Sequence, residues 1–172
     1  MASAGTSGHE TDRTLNHERK ASPTGAYVAT AGVVIFLISV FLDWFSVTED
    51  DDSVSGYDTD GVIPFTAYLG VGLVVALFYA MSRARGRQHR GLSLVTMAAG
   101  IGAVLLTLSY LFDAPGALDA EIDYEIGVGV WIALIGSILW SVGAGLLAKE
   151  PEGDDDWHGA RDAIGGRGNR NH

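Results

Sequence analysis

The sequence contains no cysteine, only 4 prolines, and 11 basic residues against 21 acidic ones. The absence of cysteine excludes a disulfide scaffold, a thiolate metal site, a cysteine nucleophile and lipid attachment through a thiol. The 5 histidines lie near the two ends of the chain and in one short connection, without metal-ligand spacing. We therefore expect a protein that is not an enzyme, with no catalytic, cofactor-binding or metal-binding residues.

Nearly all apolar residues fall into four blocks, 26–45, 62–81, 91–112 and 127–148. Each block is long enough to cross about 30 Å of hydrocarbon at ~1.5 Å per helical residue. Their one charged side chain is Asp43, near the end of the first block. This pattern excludes a soluble globular domain and predicts an all-α fold, in which residues 23–148 form an integral membrane, antiparallel four-helix bundle.

The connections between the blocks differ sharply in charge. Every base lies in the two tails or in the link between the second and third blocks, which holds Arg83, Arg85, Arg87 and Arg90. The other connections contain no base and many acids, including Glu49, Asp50, Asp51, Asp52, Asp58 and Asp60. Because basic segments stay in the cytoplasm, this distribution predicts a multi-pass protein of the prokaryotic plasma membrane with both termini cytoplasmic and the acidic loops outside.

The two ends of the chain have the composition of tails. Residues 1–22 are polar and poor in apolar side chains, which predicts a disordered cytoplasmic segment. Residues 149–172 are rich in glycine and aspartate and predict a flexible cytoplasmic tail.

Small residues recur at helical spacing within the blocks, as expected where helices pack in lipid by close backbone approach. The predicted packing residues are Gly32 on the first helix, Gly100 and Ala103 on the third, and Gly129, Gly136 and Gly143 on the fourth. On the second helix, Gly72 and Ala76 stand four apart, which predicts a tighter, right-handed crossing. Trp140 lies too deep for a boundary position; we expect it to fill the volume that Gly136 and Gly143 leave open, and exposure to lipid is the alternative.

Several aromatic residues fall close to the block ends, where tyrosine and tryptophan form belts at membrane boundaries. The residues predicted to form these belts are Tyr27, Trp44, Phe45, Tyr68, Tyr79, Tyr110 and Trp131.

Two charged segments could bind ligands. The acids of 49–52 could hold calcium, but they lack the order of acids and the central glycine of an EF-hand loop, which favours a solvated loop. The basic segment 83–90 could contact anionic lipid headgroups, although fixing the topology is already a sufficient reason for it.

The function predicted from these features is that of a non-catalytic accessory or interaction subunit of a membrane complex. Its expected partners are the lipid bilayer and other membrane or envelope proteins; nucleic acid is not expected, and a homo-oligomer is compatible with the sequence. The alternative is a small transporter or channel subunit that works as an oligomer, because four closely packed helices enclose no aqueous path in a single copy. The absence of ionisable side chains at membrane depth argues against this alternative.

Three segments carry a resemblance to known proteins: Leu42-Asp43-Trp44-Phe45, Ser55-Gly56-Tyr57-Asp58 and the arginine-rich turn 83–90. Over about 26–148, the arrangement resembles the small four-helix integral membrane proteins of actinobacteria and other high-GC prokaryotes, whose function is uncharacterised. Claudin-like proteins share this outline, but the outer-loop cysteines that they use are absent here. The resemblance implies a four-helix membrane fold and supplies no substrate or site.

Overall fold

A computed structural model describes residues 22–47, 53–83, 89–112 and 124–150 of the chain. This part is mostly helical and also contains a small antiparallel sheet of three strands in the order β2-β1-β3. The elements along the chain are α1 (Thr24–Ser39), β1 (Asp43–Val47), β2 (Ser53–Ser55), α2 (Gly56–Thr59), α3 (Val62–Arg83), α4 (His89–Phe112), β3 (Tyr124–Ile126) and α5 (Val128–Ala148). The predictions made for residues 1–21 and 151–172 lie outside the described residues.

The sheet corrects the expectation of a purely helical chain. The first helix, predicted over 26–45, ends at Ser39, and Asp43–Val47 forms the central strand instead. Phe45 pairs with Val54 on one side and with Ile126 on the other. The neighbouring strands thus supply β1 with the backbone hydrogen bonds that a helix would have made internally. A short apolar segment does not by itself distinguish a strand from the end of a helix.

Among the described residues, three helices are long and apolar enough to cross a membrane: Val62–Ser82, Arg90–Phe112 and Val128–Ala148. Helix α1 has 16 residues and is a shorter apolar helix. Large apolar side chains are exposed along all four helices, among them Ile38, Val75, Leu105 and Ile135. Exposed apolar surface on this scale marks contact with lipid or protein, and with the three long helices it indicates a membrane protein.

Helices α1 and α5 touch backbone to backbone. A Cβ atom added at Gly32 would lie 2.6 Å from the carbonyl oxygen of Gly136, and one added at Gly25 would lie 2.7 Å from that of Gly143. On the facing helix, a Cβ at Gly136 would lie 2.6 Å from the amide nitrogen of Phe36. Since higher numbers on α1 match lower numbers on α5, the two helices run antiparallel.

Helix α4 packs on α5 through the face that its small residues predict. Ser93, Thr96, Gly100, Ala103, Thr107 and Tyr110 are all buried. A Cβ at Gly100 would lie 2.7 Å from the hydroxyl of Ser141 on α5. The hydroxyls of Thr96 and Thr107 donate to carbonyls of their own helix, Leu92 and Ala103, each at 2.8 Å.

Helix α3 packs through a different face from the one predicted. Gly72 is exposed, with open space around its Cβ position among the described residues, and Ala76 is half-buried. The buried positions of α3 are Ile63, Pro64, Ala67, Gly70, Val74 and Leu77. Ile63, Val74 and Leu77 have large side chains, and a Cβ at Gly70 would meet the side chains of Trp140 and Val33 rather than backbone atoms.

Trp140 points into the helices and is fully buried, as predicted. Its ring does not occupy the space beside Gly136 and Gly143, since the backbone of α1 fills that space. The ring instead reaches α3, where a Cβ at Gly70 would lie 2.9 Å from Cη2 of the indole. Phe36 packs against it edge to face, with ring centroids 6.4 Å apart. Trp140 therefore fills the gap between α5 and α3.

The contact between α1 and α5 can be tested by replacing Gly32 with alanine. The added methyl group meets backbone atoms of Trp140 and Gly136, which cannot rotate away, so we expect the stability to fall by about 1–3 kcal/mol. The measurement is thermal unfolding in detergent. Gly72→Ala is the matched control, because its methyl group meets open space; equal melting temperatures for the two variants would contradict the packing described.

Candidate functional site

The sheet and helix α2 form a cap over one end of the helices. We define the cap as residues 43–47, 53–59 and 124–126. It lies where α1 and α4 end and where α3 and α5 begin. Of the predicted outer acids, Asp58 lies in the cap and Asp60 lies directly beside it.

Trp44 holds the cap on the helices. Its side chain is fully buried, and its Nε1 donates a hydrogen bond of 2.8 Å to the carbonyl oxygen of Ser39. Ser39 is the last residue of α1, and the carbonyls of a last helical turn lack partners within their own helix. The same carbonyl accepts from the amide of Leu42 at 3.1 Å, so the indole is its second donor and ties the cap to the end of α1.

Two glycines and a tyrosine enclose the indole. A Cβ at Gly56 would lie 2.5 Å from Nε1 of Trp44, and one at Gly129 would lie 2.9 Å from the same atom. The ring of Tyr110 meets the indole edge to face, with centroids 5.4 Å apart and planes at 86°. The cap, α4 and α5 thus all contact one side chain.

Backbone hydrogen bonds attach the cap at two further places. The amide of Tyr57 donates to the carbonyl of Val40 at 2.8 Å. The amide of Gly127 donates to the carbonyl of Trp44 at 2.7 Å, next to the start of α5. These bonds join the cap to the end of α1 and the start of α5, so its position is fixed relative to that closely packed helix pair.

Two of the predicted outer acids have structural partners. Asp60 accepts a 2.8 Å hydrogen bond from the amide of Val62, at the start of α3, and a 3.2 Å bond from the hydroxyl of Tyr110. Asp58 accepts a 2.7 Å bond from the hydroxyl of Ser55, which caps α2. Both side chains therefore stabilise helix starts, and both residues remain exposed.

The other charged positions are described only in part. Glu49, Asp50, Asp51 and Asp52, and likewise Arg85 and Arg87, lie outside the described residues. Arg83 ends α3, and Arg90 is exposed near the start of α4, at the opposite end from the cap. Among the described residues, no three His, Cys, Asp or Glu side chains lie together in a way that could hold a metal ion.

The aromatic residues predicted for the membrane boundaries divide into two groups. Tyr27, Tyr68, Tyr79 and Trp131 are each more than half exposed, as residues of a belt would be. Trp44, Phe45 and Tyr110 are buried, and the prediction for them was wrong. Trp44 and Phe45 both pack on the ring of Tyr110, which sequence position could not reveal because the strand that carries them was not predicted.

Comparison with known protein families gives no match, and comparison with curated protein sequences gives none.

The role of Trp44 in holding the cap predicts a strong effect of Trp44→Ala. The variant loses the bond to Ser39 and leaves a cavity between Gly56, Gly129 and Tyr110, so we expect a loss of about 3–5 kcal/mol. Thermal unfolding in detergent measures it. Trp131→Ala removes the same ring from an exposed position, where surface substitutions stay within about 0.5 kcal/mol. A Trp44→Ala protein as stable as the Trp131→Ala protein would refute the proposed role.

Proposed function

We propose that this chain is an integral protein of a prokaryotic plasma membrane, built as an antiparallel four-helix bundle with both termini in the cytoplasm. Three features support the proposal: the three long apolar helices, the antiparallel contact between α1 and α5, and the exposed apolar side chains around them. Arg90 marks one end, and Asp58 and Asp60 mark the other. By the preference of basic segments for the cytoplasm, the cap lies outside.

Its proposed role is that of a non-catalytic accessory subunit that binds other membrane or envelope proteins through the cap. The observation that carries this role is a firmly attached cap with exposed acids, namely Asp43, Asp58 and Glu125. Asp43 is itself held by the hydroxyl of Ser53 at 2.9 Å. Charges held in place on a fixed surface favour a partner with a basic surface, because both association rate and specificity gain from complementary charge.

The buried polar side chains of the helices support a packing role rather than chemistry. Ser39, Thr107 and Ser137 are fully buried, and each hydroxyl donates to a carbonyl of its own helix. The hydrogen bond satisfies each buried hydroxyl within the protein, so no substrate is needed to explain why it is buried.

Cross-linking in native membranes followed by purification tests the accessory role. We expect a reproducible, stoichiometric partner whose recovery falls with rising salt, since surface charges are screened. Glu125→Lys, on the cap, should weaken this binding by roughly 1 kcal/mol, or about fivefold.

Glu150→Lys is the matched control, because it reverses the same charge at the opposite end of α5. Equal losses for both variants would show that the cap is not the binding surface. Solute flux through the pure protein in liposomes would overturn the accessory role in favour of a small transporter or channel subunit that works as an oligomer.

A further inference from the structure

The exposed side of α1 carries an apolar stripe that continues beyond the end of the helix. Val34, Ile38 and Phe41 follow one another at spacings of four and three, and their exposed fractions are 45%, 53% and 63%. Phe41 lies in the turn after α1, where its amide donates to the carbonyl of Ile38 at 3.1 Å. The stripe therefore ends on Phe41, at the level where the cap begins.

Phe41 stacks on Tyr57 of α2. Their ring centroids lie 6.0 Å apart and their planes differ by 13°. The backbone fixes this arrangement, since the amides of Tyr57 and Gly56 donate to the carbonyls of Val40 and Leu42 at 2.8 and 3.2 Å. Tyr57 is 51% exposed, so the pair presents ring surface outward rather than to the core.

The surroundings of the pair change from apolar to acidic within a few residues. Exposed apolar side chains lie at the neighbouring helix ends, at Val62, Phe112 and Val128. Exposed carboxylates follow directly, at Asp58 and Asp60. Aromatic rings favour such a boundary, because the apolar ring meets acyl chains while the polar edge stays hydrated.

We propose that Phe41 and Tyr57 form an interfacial anchor that binds the boundary between headgroups and acyl chains of the bilayer, so that α2 rests on the lipid surface instead of projecting into water. The ligand is the lipid surface itself, whatever its headgroup. The anchor rests on the proposed membrane location of the chain. It fixes the depth of the cap, because the amides of Gly56 and Tyr57 tie α2 to the turn that leads into β1.

The absence of cysteine allows the depth of single positions to be measured directly. Phe41→Cys is labelled with a nitroxide and reconstituted in phosphatidylcholine vesicles. Electron paramagnetic resonance then compares collisions with oxygen, which concentrates in lipid, and with a nickel chelate, which stays in water. Val75→Cys, an exposed position in the middle of α3, and Glu125→Cys, on the cap, are the lipid and water controls.

We expect the Phe41 label to lie between the two controls, within about 5–10 Å of the headgroup boundary, and a label at Tyr57→Cys to report the same depth. If the Phe41 label collides with the nickel chelate as often as the Glu125 label does, while the Val75 label still reports lipid, the anchor is overturned. A Phe41 label shielded from both reagents shows that a second copy of the chain covers the pair, which also overturns it. If the Val75 label is open to nickel, the membrane location itself fails.

Discussion

The close contact between the backbones of α1 and α5 is the constraint on which the rest of the structure depends. Glycines at 25, 32, 136 and 143 leave no room for side chains between the two helices. Without a hydrophobic driving force between helices in lipid, such close approach is a main source of association. The contact also determines which part of α5 lies beside the end of α1. It therefore determines where β1, with Trp44, lies relative to the helices. The cap is therefore positioned by residues that lie deep among the helices.

Different parts of the chain pack the helices together and hold the cap. Small residues on α1, α4 and α5 provide the close packing, whereas the large side chains of α3 and the ring of Trp140 fill a wider gap. At the acidic end, one indole joins the sheet to three helices through Ser39, Gly129 and Tyr110. Acidic side chains on the cap are thus held on a surface that the helices fix, which is what a binding surface for another protein requires.

The packing faces of α4 and α5 could be predicted from the sequence, because these helices pack by close approach of their backbones. Gly100 and Ala103, and likewise Gly129, Gly136 and Gly143, lie on buried faces because only small residues allow such contact. The same rule failed for Gly72, which is exposed, since α3 turns a face with Ile63, Gly70 and Leu77 toward its neighbours. It also could not place the end of α1, because the mostly apolar segment 40–47 suits a helix or a strand equally. The pairing of Phe45 with both neighbouring strands, a contact distant in sequence, decided that outcome.

The central claim is that the cap and the basic segment 83–90 lie on opposite sides of the membrane. The two ends of α5 test it most directly, with Glu125→Cys just before the helix and Lys149→Cys just after it. Intact cells are treated with a maleimide that cannot cross the plasma membrane. The account predicts that the thiol at Glu125 is labelled in intact cells, and that the thiol at Lys149 is labelled only after the cells are permeabilised. Labelling of both positions in intact cells, or of the thiol at Lys149 alone, would contradict it.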